Sequence, residues 1–461
     1  MTMMVAPVVA APARSENALV SPPILPELIK LTLPNLVAML VIAMVAICET
    51  VYVGFLGTTP LAAIALVFPM QMLMQMLSAG AMGGGISSAI SRALGAGDRR
   101  RAEALAWHAV VIGAAAGLLF SALFAFFATP LLRALGGSGA VLEEALGYAH
   151  IALSGAILTW LLNTLASIVR GTGNMRLPSL TLLAASTLQI AVGGTAGLGL
   201  GPVPRFGLPG VATGLLTASA ACTLFLLLYL ASGRARLTLT FNASMQREMF
   251  VDILKVGAVS ALGPFQVVLT VLILTRLVAG FGTAALAGYG IGARLEFLLV
   301  PIVFAIGVAS VPMVGMAIGA RDVVRARRIA WTAASVAVTT LGAIGLLVTV
   351  APDLWSGLFT SDRSVRAAAN LYLRWAGPGF AFVGLGLGLY FASQGSGKVL
   401  APVIAGMVRL LVVALGGAWL TASHASVWSL FALVGVSMGA FGFCVAAAVY
   451  FTQWNVREQS E

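Results

Sequence analysis

Apolar residues in this chain run on in long, nearly continuous stretches, without the two-residue alternation of strands or the narrow one-sided stripe of a surface helix. Between Leu31 and Leu56 the one charged side chain is Glu49. A helix of about 20 such residues is needed to cross roughly 30 Å of hydrocarbon. Twelve stretches qualify, near 33–56, 61–90, 104–128, 145–168, 178–200, 209–231, 252–278, 286–316, 329–350, 367–392, 400–421 and 427–452. They predict an all-α polytopic membrane protein with twelve transmembrane helices.

Composition agrees, since 60% of the 461 residues are hydrophobic and 9% are charged. The net charge of +11 changes the picture only through its placement. Of the Lys and Arg residues outside the spans, 18 fall on the side holding both termini and 5 fall opposite. By the positive-inside rule both termini are expected in the cytoplasm. The charge is then a topology signal that calls for no nucleic-acid partner. The first 30 residues carry no charge ahead of their apolar part and are broken by prolines, so an uncleaved cytoplasmic tail is expected in preference to a signal peptide. Cys48, Cys222 and Cys444 are scattered through spans and suggest neither a disulfide framework nor a metal site.

Two loops repeat. "ALGAGDRRRAEALAW" (Ala93 to Trp107) and "AIGARDVVRARRIAW" (Ala317 to Trp331) share Gly95 with Gly319, Asp98 with Asp322, Arg101 with Arg325 and Trp107 with Trp331, each pair 224 positions apart. "RGTGNMRLP" (Arg170 to Pro178) and "QGSGKVLAP" (Gln394 to Pro402) share a G-x-G-x4-P pattern at the same offset of 224. Small residues for helix packing explain glycine-rich loops but not one shared offset. The chain therefore divides into a tail (1–32), an N-terminal lobe of six spans (33–236), a connector (237–251) and a C-terminal lobe of six spans (252–461). Six is even, so both lobes enter from the same side and are related by a pseudo-two-fold axis along the membrane normal. A substrate is expected between them near the midplane.

"SQGSGKVL" lacks the glycine at 392 and the hydroxyl at 399 that a phosphate-binding loop needs, and no soluble segment is long enough for an ATPase. A pump of this kind must use an ion gradient. A carboxylate at membrane depth costs at least about 2.5–3.5 kcal/mol on insertion scales, which singles out Glu49. Counted from residue 33 it lies roughly 24 Å along its helix, in the outer half of the bilayer. Glu296, two residues after Arg294, is the secondary ionisable candidate, open between function and a local charge pair. Arg409 is equally open between function and snorkelling. Candidate polar companions of Glu49 are Asn163, Gln189 and Thr213, and Gln71 and Gln75 share one face of the second span within "PMQMLMQML". That methionine-rich face fits ordinary packing, or adaptable recognition of apolar ligands. His108, His150 and His424 show no metal spacing and read as interfacial.

The repeated loops, the twelve spans and "ETVYVGFLG" (Glu49 to Gly57) together resemble the multidrug and toxic compound extrusion (MATE) family, most like its DinF-type bacterial branch. The resemblance covers roughly residues 25–455. It implies two six-helix lobes in a V, opening a central cavity to each side in turn, and export of amphipathic, often cationic, small molecules against protons or sodium ions. The family's first-span acid, usually Asp, matches Glu49 before Thr50. Its fifth-span polar pair falls on Gln189, kept in kind, and Gly193, lost. Its sixth-span threonine matches Thr213. The membrane acids of the NorM-type branch fall at about Gln266 and Val383, so the resemblance implies no second ion site of that type. Gln266 joins Gln71, Gln75 and Asn163 as a substrate-cavity candidate.

The expectation is a monomeric, proton-coupled multidrug exporter without a cofactor, embedded in the lipid bilayer. Sodium coupling, and a flippase for lipid or polysaccharide precursors, are the alternatives. An intramembrane enzyme would need paired carboxylates, a Ser/His constellation or a metal set within the spans, and the sequence offers none.

Overall fold

A computed structural model describes residues 22–240 and 244–454. Most of the predicted tail with Arg14, residues 241–243 of the connector, and Arg457 lie outside the described residues. Among the described residues every regular element is a helix. Ten helices are long and apolar enough to cross a membrane, and two bent pairs supply a further crossing each. In chain order these are α1 (Ile24–Gly54), α2 (Thr58–Gly95), α3 (Arg99–Ala134), α4 (Gly139–Ser154 with Ala156–Gly171), α5 (Arg176–Leu198), α6 (Gly207–Ala231), α7 (Arg247–Ala279), α8 (Thr283–Gly319), α9 (Val323–Val350), α10 (Arg363–Ala376 with Gly379–Ser396), α11 (Leu400–Ala422) and α12 (Val427–Phe451).

The first helix starts at Ile24, earlier than the 33 expected from hydropathy. Glu27 and Lys30 lower the apolarity of its opening turns, yet they form an i,i+3 pair at 3.2 Å and are compatible with helix there. Pro23 stands just before the first turn, where a missing N–H costs nothing. At about 1.5 Å per residue the 31 residues of α1 span about 46 Å, more than the bilayer core. Both bent helices break at glycine. α4 turns by 43° at Gly155, and α10 by 53° across Gly377 to Gly379, where Pro378 also removes a backbone donor.

The loop repeat recurs as a repeat of helix starts. Asp98 accepts from the Arg101 backbone N–H at 2.9 Å, and Asp322 accepts from that of Arg325 at 2.8 Å. Each is the N-cap of the third helix of its half, so the shared Asp and the shared spacing do one local job twice.

Packing differs between the two ends of the bundle. At the end carrying both described termini, residues of both halves form one shared core, from Leu28 and Ile86 through Val314 and Ile329 to Trp454. At the other end each half has its own core, around Tyr52, Val67, Tyr148 and Val211 in one and around Leu274, Tyr289, Tyr372 and Phe431 in the other. Two lobes thus meet at one end and separate towards the other.

The seam between them is made by α2 and α8. A Cβ on Gly95 would collide with the Met316 carbonyl oxygen, and one on Gly319 with that of Arg92. These contacts exchange under the 224-residue offset, as a two-fold axis requires. Polar contacts close the same end. The Ser88 hydroxyl donates to the Gln394 carbonyl, Asn35 donates to the Ala305 carbonyl at 3.4 Å, and Arg325 donates to the Pro22 carbonyl at 2.6 Å. Asp252 on α7 accepts from Arg92 at 2.9 Å, from Lys255 at 2.6 Å and from Arg101 at 3.4 Å, tying the first half to the second.

Candidate functional site

Glu49 sits near the far end of α1, where the lobes are apart. The Gln189 amide of α5 donates to its Oε2 at 3.4 Å, and its Oε1 is buried without a hydrogen-bond partner among the described residues. No Lys, Arg or His pairs with it among the described residues. Tyr52, one turn further along α1, has a buried hydroxyl that also lacks a partner. The neighbouring Thr50 returns its hydroxyl to its own helix, donating to the Ala46 carbonyl at 2.8 Å.

The missing oxygen at Gly193 has a structural reason. Gly193 and Gly214 bring α5 and α6 backbone to backbone, and a Cβ at 193 would stand 3.1 Å from the Val211 carbonyl and 3.2 Å from the Tyr52 hydroxyl. The tyrosine oxygen therefore occupies the space a longer side chain would need. Thr213, the third expected partner of Glu49, donates to the Gly210 carbonyl of its own helix at 2.7 Å and makes no hydrogen bond to Glu49. Of the predicted trio, only Glu49 and Gln189 are joined.

The remaining candidates of this lobe form two further pairs. Gln71 donates to the Tyr148 hydroxyl at 2.8 Å. Asn163 donates to Gln75 at 3.1 Å and to the Ser78 hydroxyl at 2.9 Å, deeper in the lobe. Their i,i+4 spacing puts Gln71 and Gln75 on one face, where they bind different partners on α4.

In the second lobe Glu296 does not pair with Arg294, whose guanidinium lies 5.5 Å from the Phe359 ring centre. Instead Arg409 of α11 reaches Glu296 Oε2 at 3.3 Å, and the Tyr372 hydroxyl donates to Oε1. Arg409 is thereby held inside the lobe. This pair lines a cavity of about 120 Å³ together with Gln266, Thr270 and Tyr289. Gln266 lines this cavity, whose lining comes from the second lobe alone and does not include Gln71, Gln75 or Asn163.

The tyrosines escaped the sequence reading. Tyr148 and Tyr372 are 224 positions apart, and each is fully buried and bonded to a polar side chain of the second helix of its half. Extending the loop offset along the whole chain would have found them.

A helical bundle of twelve crossings, built as two lobes about a two-fold axis with isolated polar groups inside each lobe, has the architecture of a membrane transporter. The MatE family profile matches residues 34–194 and 260–420, one copy in each half, and the chain belongs to the MATE family. Among its relatives are the FAD transporter of Shewanella oneidensis, 26% identical over 316 residues that cover 68% of this chain and 70% of the relative, and the multidrug export protein MepA of Staphylococcus aureus, 24% identical over 426 residues that cover 88% and 90%. The fold is shared with a solved MOP superfamily transporter from Pyrococcus furiosus, with a TM-score of 0.85, 23% identity and coverage of 95% of this chain and 97% of that one.

Proposed function

We propose that this protein is a secondary exporter of amphipathic small molecules, antiporting them against protons, with Glu49 as the coupling carboxyl. The transported classes of its relatives, named for multidrug export and FAD transport, support small-molecule cargo. The observation that carries the coupling assignment is the buried, unpartnered Oε1 of Glu49 with no cationic side chain bonded to it. A carboxyl in that setting has a free position for one proton. A sodium ion prefers several oxygens held together, whereas here Thr213 is turned to its own helix and Gly193 gives way to a tyrosine.

The basic loops support an orientation in the inner membrane with both termini cytoplasmic. The closed seam is then the cytoplasmic gate, and this conformation is open to the outside. The Glu49 region loads its proton there, and release follows when the lobes part at the seam formed by Gly95 and Gly319. The protein is expected to act as a monomer. Transport in proteoliposomes tests the reading. Export should follow an imposed pH gradient with sodium absent and change little when a sodium gradient is added at fixed pH. A sodium requirement that persists with the pH gradient collapsed would exclude it.

A further inference from the structure

The cavity of the C-terminal lobe differs from the Glu49 region in the charged group that keeps unused hydrogen-bonding capacity, a guanidinium in place of a carboxylate. Both oxygens of Glu296 are taken, one by the Tyr372 hydroxyl and the other by Arg409 at 3.3 Å. The Gln266 amide donates to the Val403 carbonyl at 3.3 Å, and Thr270 donates to the Gln266 carbonyl at 2.7 Å. Among the described residues Arg409 gives a single hydrogen bond, although a guanidinium carries five donors, and its Nε is buried with no partner. Arg409 thus keeps strong charged donors unused beside a carboxylate whose two oxygens each already accept a hydrogen bond. In the N-terminal lobe the charged group with an unpartnered atom among the described residues is instead a carboxylate, through Glu49 Oε1.

We propose that the cavity of the C-terminal lobe binds a small aromatic compound bearing one anionic group, a carboxylate, sulfonate or phosphate, with that group on Arg409. Its volume of about 120 Å³ is close to that of an engineered cavity of about 150 Å³ that takes up benzene, so a single ring fits. Phe297, Phe380 and Phe441 supply a wall for the ring. An arginine presents paired donors that match a carboxylate or phosphate. A cationic ligand would meet a carboxylate already neutralised by Arg409 and would sit beside that second positive charge, which discriminates against it. As a substrate class this rests on the exporter reading, while the binding step stands without it.

The test compares 3-phenylpropanoate with 3-phenylpropylammonium, which share ring and chain length, by equilibrium dialysis against the purified full chain in detergent. The anion should bind at least about tenfold more tightly, as expected for a hydrogen bond to a charged group. Arg409→Gln should lower anion affinity by about tenfold or more and abolish the preference. Ala293→Phe fills the cavity from another wall and should remove anion binding while leaving Arg409 in place. Equal or tighter binding of the cation overturns the proposal, as does anion binding unaltered by Ala293→Phe. If Arg409→Gln does not yield monodisperse protein, the comparison of the two ligands on the unaltered chain and the Ala293→Phe result decide. Anion binding without any export in proteoliposomes would sink the exporter reading and leave this site standing; export without anion preference would do the opposite.

Discussion

Ser91 packs against Gly315, its own counterpart 224 positions later, so closely that a Cβ on Gly315 would collide with the Ser91 hydroxyl. A residue that touches its symmetry mate lies on the symmetry axis. The pseudo-two-fold therefore passes between these two residues, with the exchanged contacts of Gly95 and Gly319 flanking it one turn away. Lobes that rock must pivot or part here, and the fit is set by the absence of a side chain.

Gly315→Val is accordingly expected to destabilise the closed seam by about 1–3 kcal/mol, the usual cost of overpacking. The measurement is the distance between spin labels at Arg100 and Val324, which stand at the starts of α3 and α9. Its distribution should move to longer distances, and an unaltered one would show that the seam yields without opening.

Asp252 holds three cations of which two belong to the other half. Its side chain is 12% exposed, and loss of a buried partner leaves charges unpaired at a cost of about 3–5 kcal/mol, less here because Lys255 and Arg101 reach solvent. Asp252→Asn should therefore favour opening at this end and closing at the other. Labels on the opposite loops, at Leu135 and Leu354, should approach one another. If they stay apart, the ion network does not set the conformational balance.

Orientation can be read directly. Arg101→Cys and Arg325→Cys occupy equivalent positions three residues past the two capping aspartates. Both are expected to react with an impermeant thiol reagent from the cytoplasmic side only, and reaction from outside at either would invert the topology.

Much of this architecture was legible because lipid imposes it. Backbone groups in hydrocarbon have to be satisfied within a helix, so apolar length alone gave the number of crossings. The paired loops were legible because one helix start is built twice, with Asp98 and Asp322 as its caps. Pairings inside the lobes were not, because nothing local in the sequence shows that Arg409 and Glu296, 113 positions apart, face one another. Arg170 shows the same limit. Counted with the cytoplasmic charges, it is 2% exposed and lines a small cavity at the seam with Ser87 and Ser167. His108, read as interfacial, is buried and accepts from the Gln246 backbone at 2.9 Å, anchoring the connector.

On the opposite face, Asp353 accepts from Asn370 at 2.9 Å and from Arg366 at 2.6 Å, and these partners hold its carboxyl below the usual carboxylate range. A depressed folded value means that the tether is fully present above the unfolded pKa of about 3.9 and is lost as pH falls through the folded one. The segment between α9 and α10 should thus lose amide-exchange protection as pH drops below about 4, after correction for intrinsic exchange. Asp353→Asn should remove that pH dependence, and an identical profile in the variant would assign it to another group.

Glu49→Gln is the sharpest test of coupling. Glutamine has nearly the shape of a protonated glutamate and cannot release the proton, so the variant should fold and still bind ligand. Its Nε2 or Oε1 replaces an atom that has no partner, and the neighbouring bond to Gln189 at 3.4 Å is long. Gln189→Ala is then a graded control, removing one hydrogen bond of about 0.5–1.5 kcal/mol and slowing export by tenfold or so. Export driven by a pH gradient should fall to background in Glu49→Gln, and ligand binding to the purified protein should cease to be accompanied by proton release. Full pH-driven export in this variant would place the proton elsewhere. Glu296 would be the next carboxyl to examine, although it is already engaged by Tyr372 and Arg409.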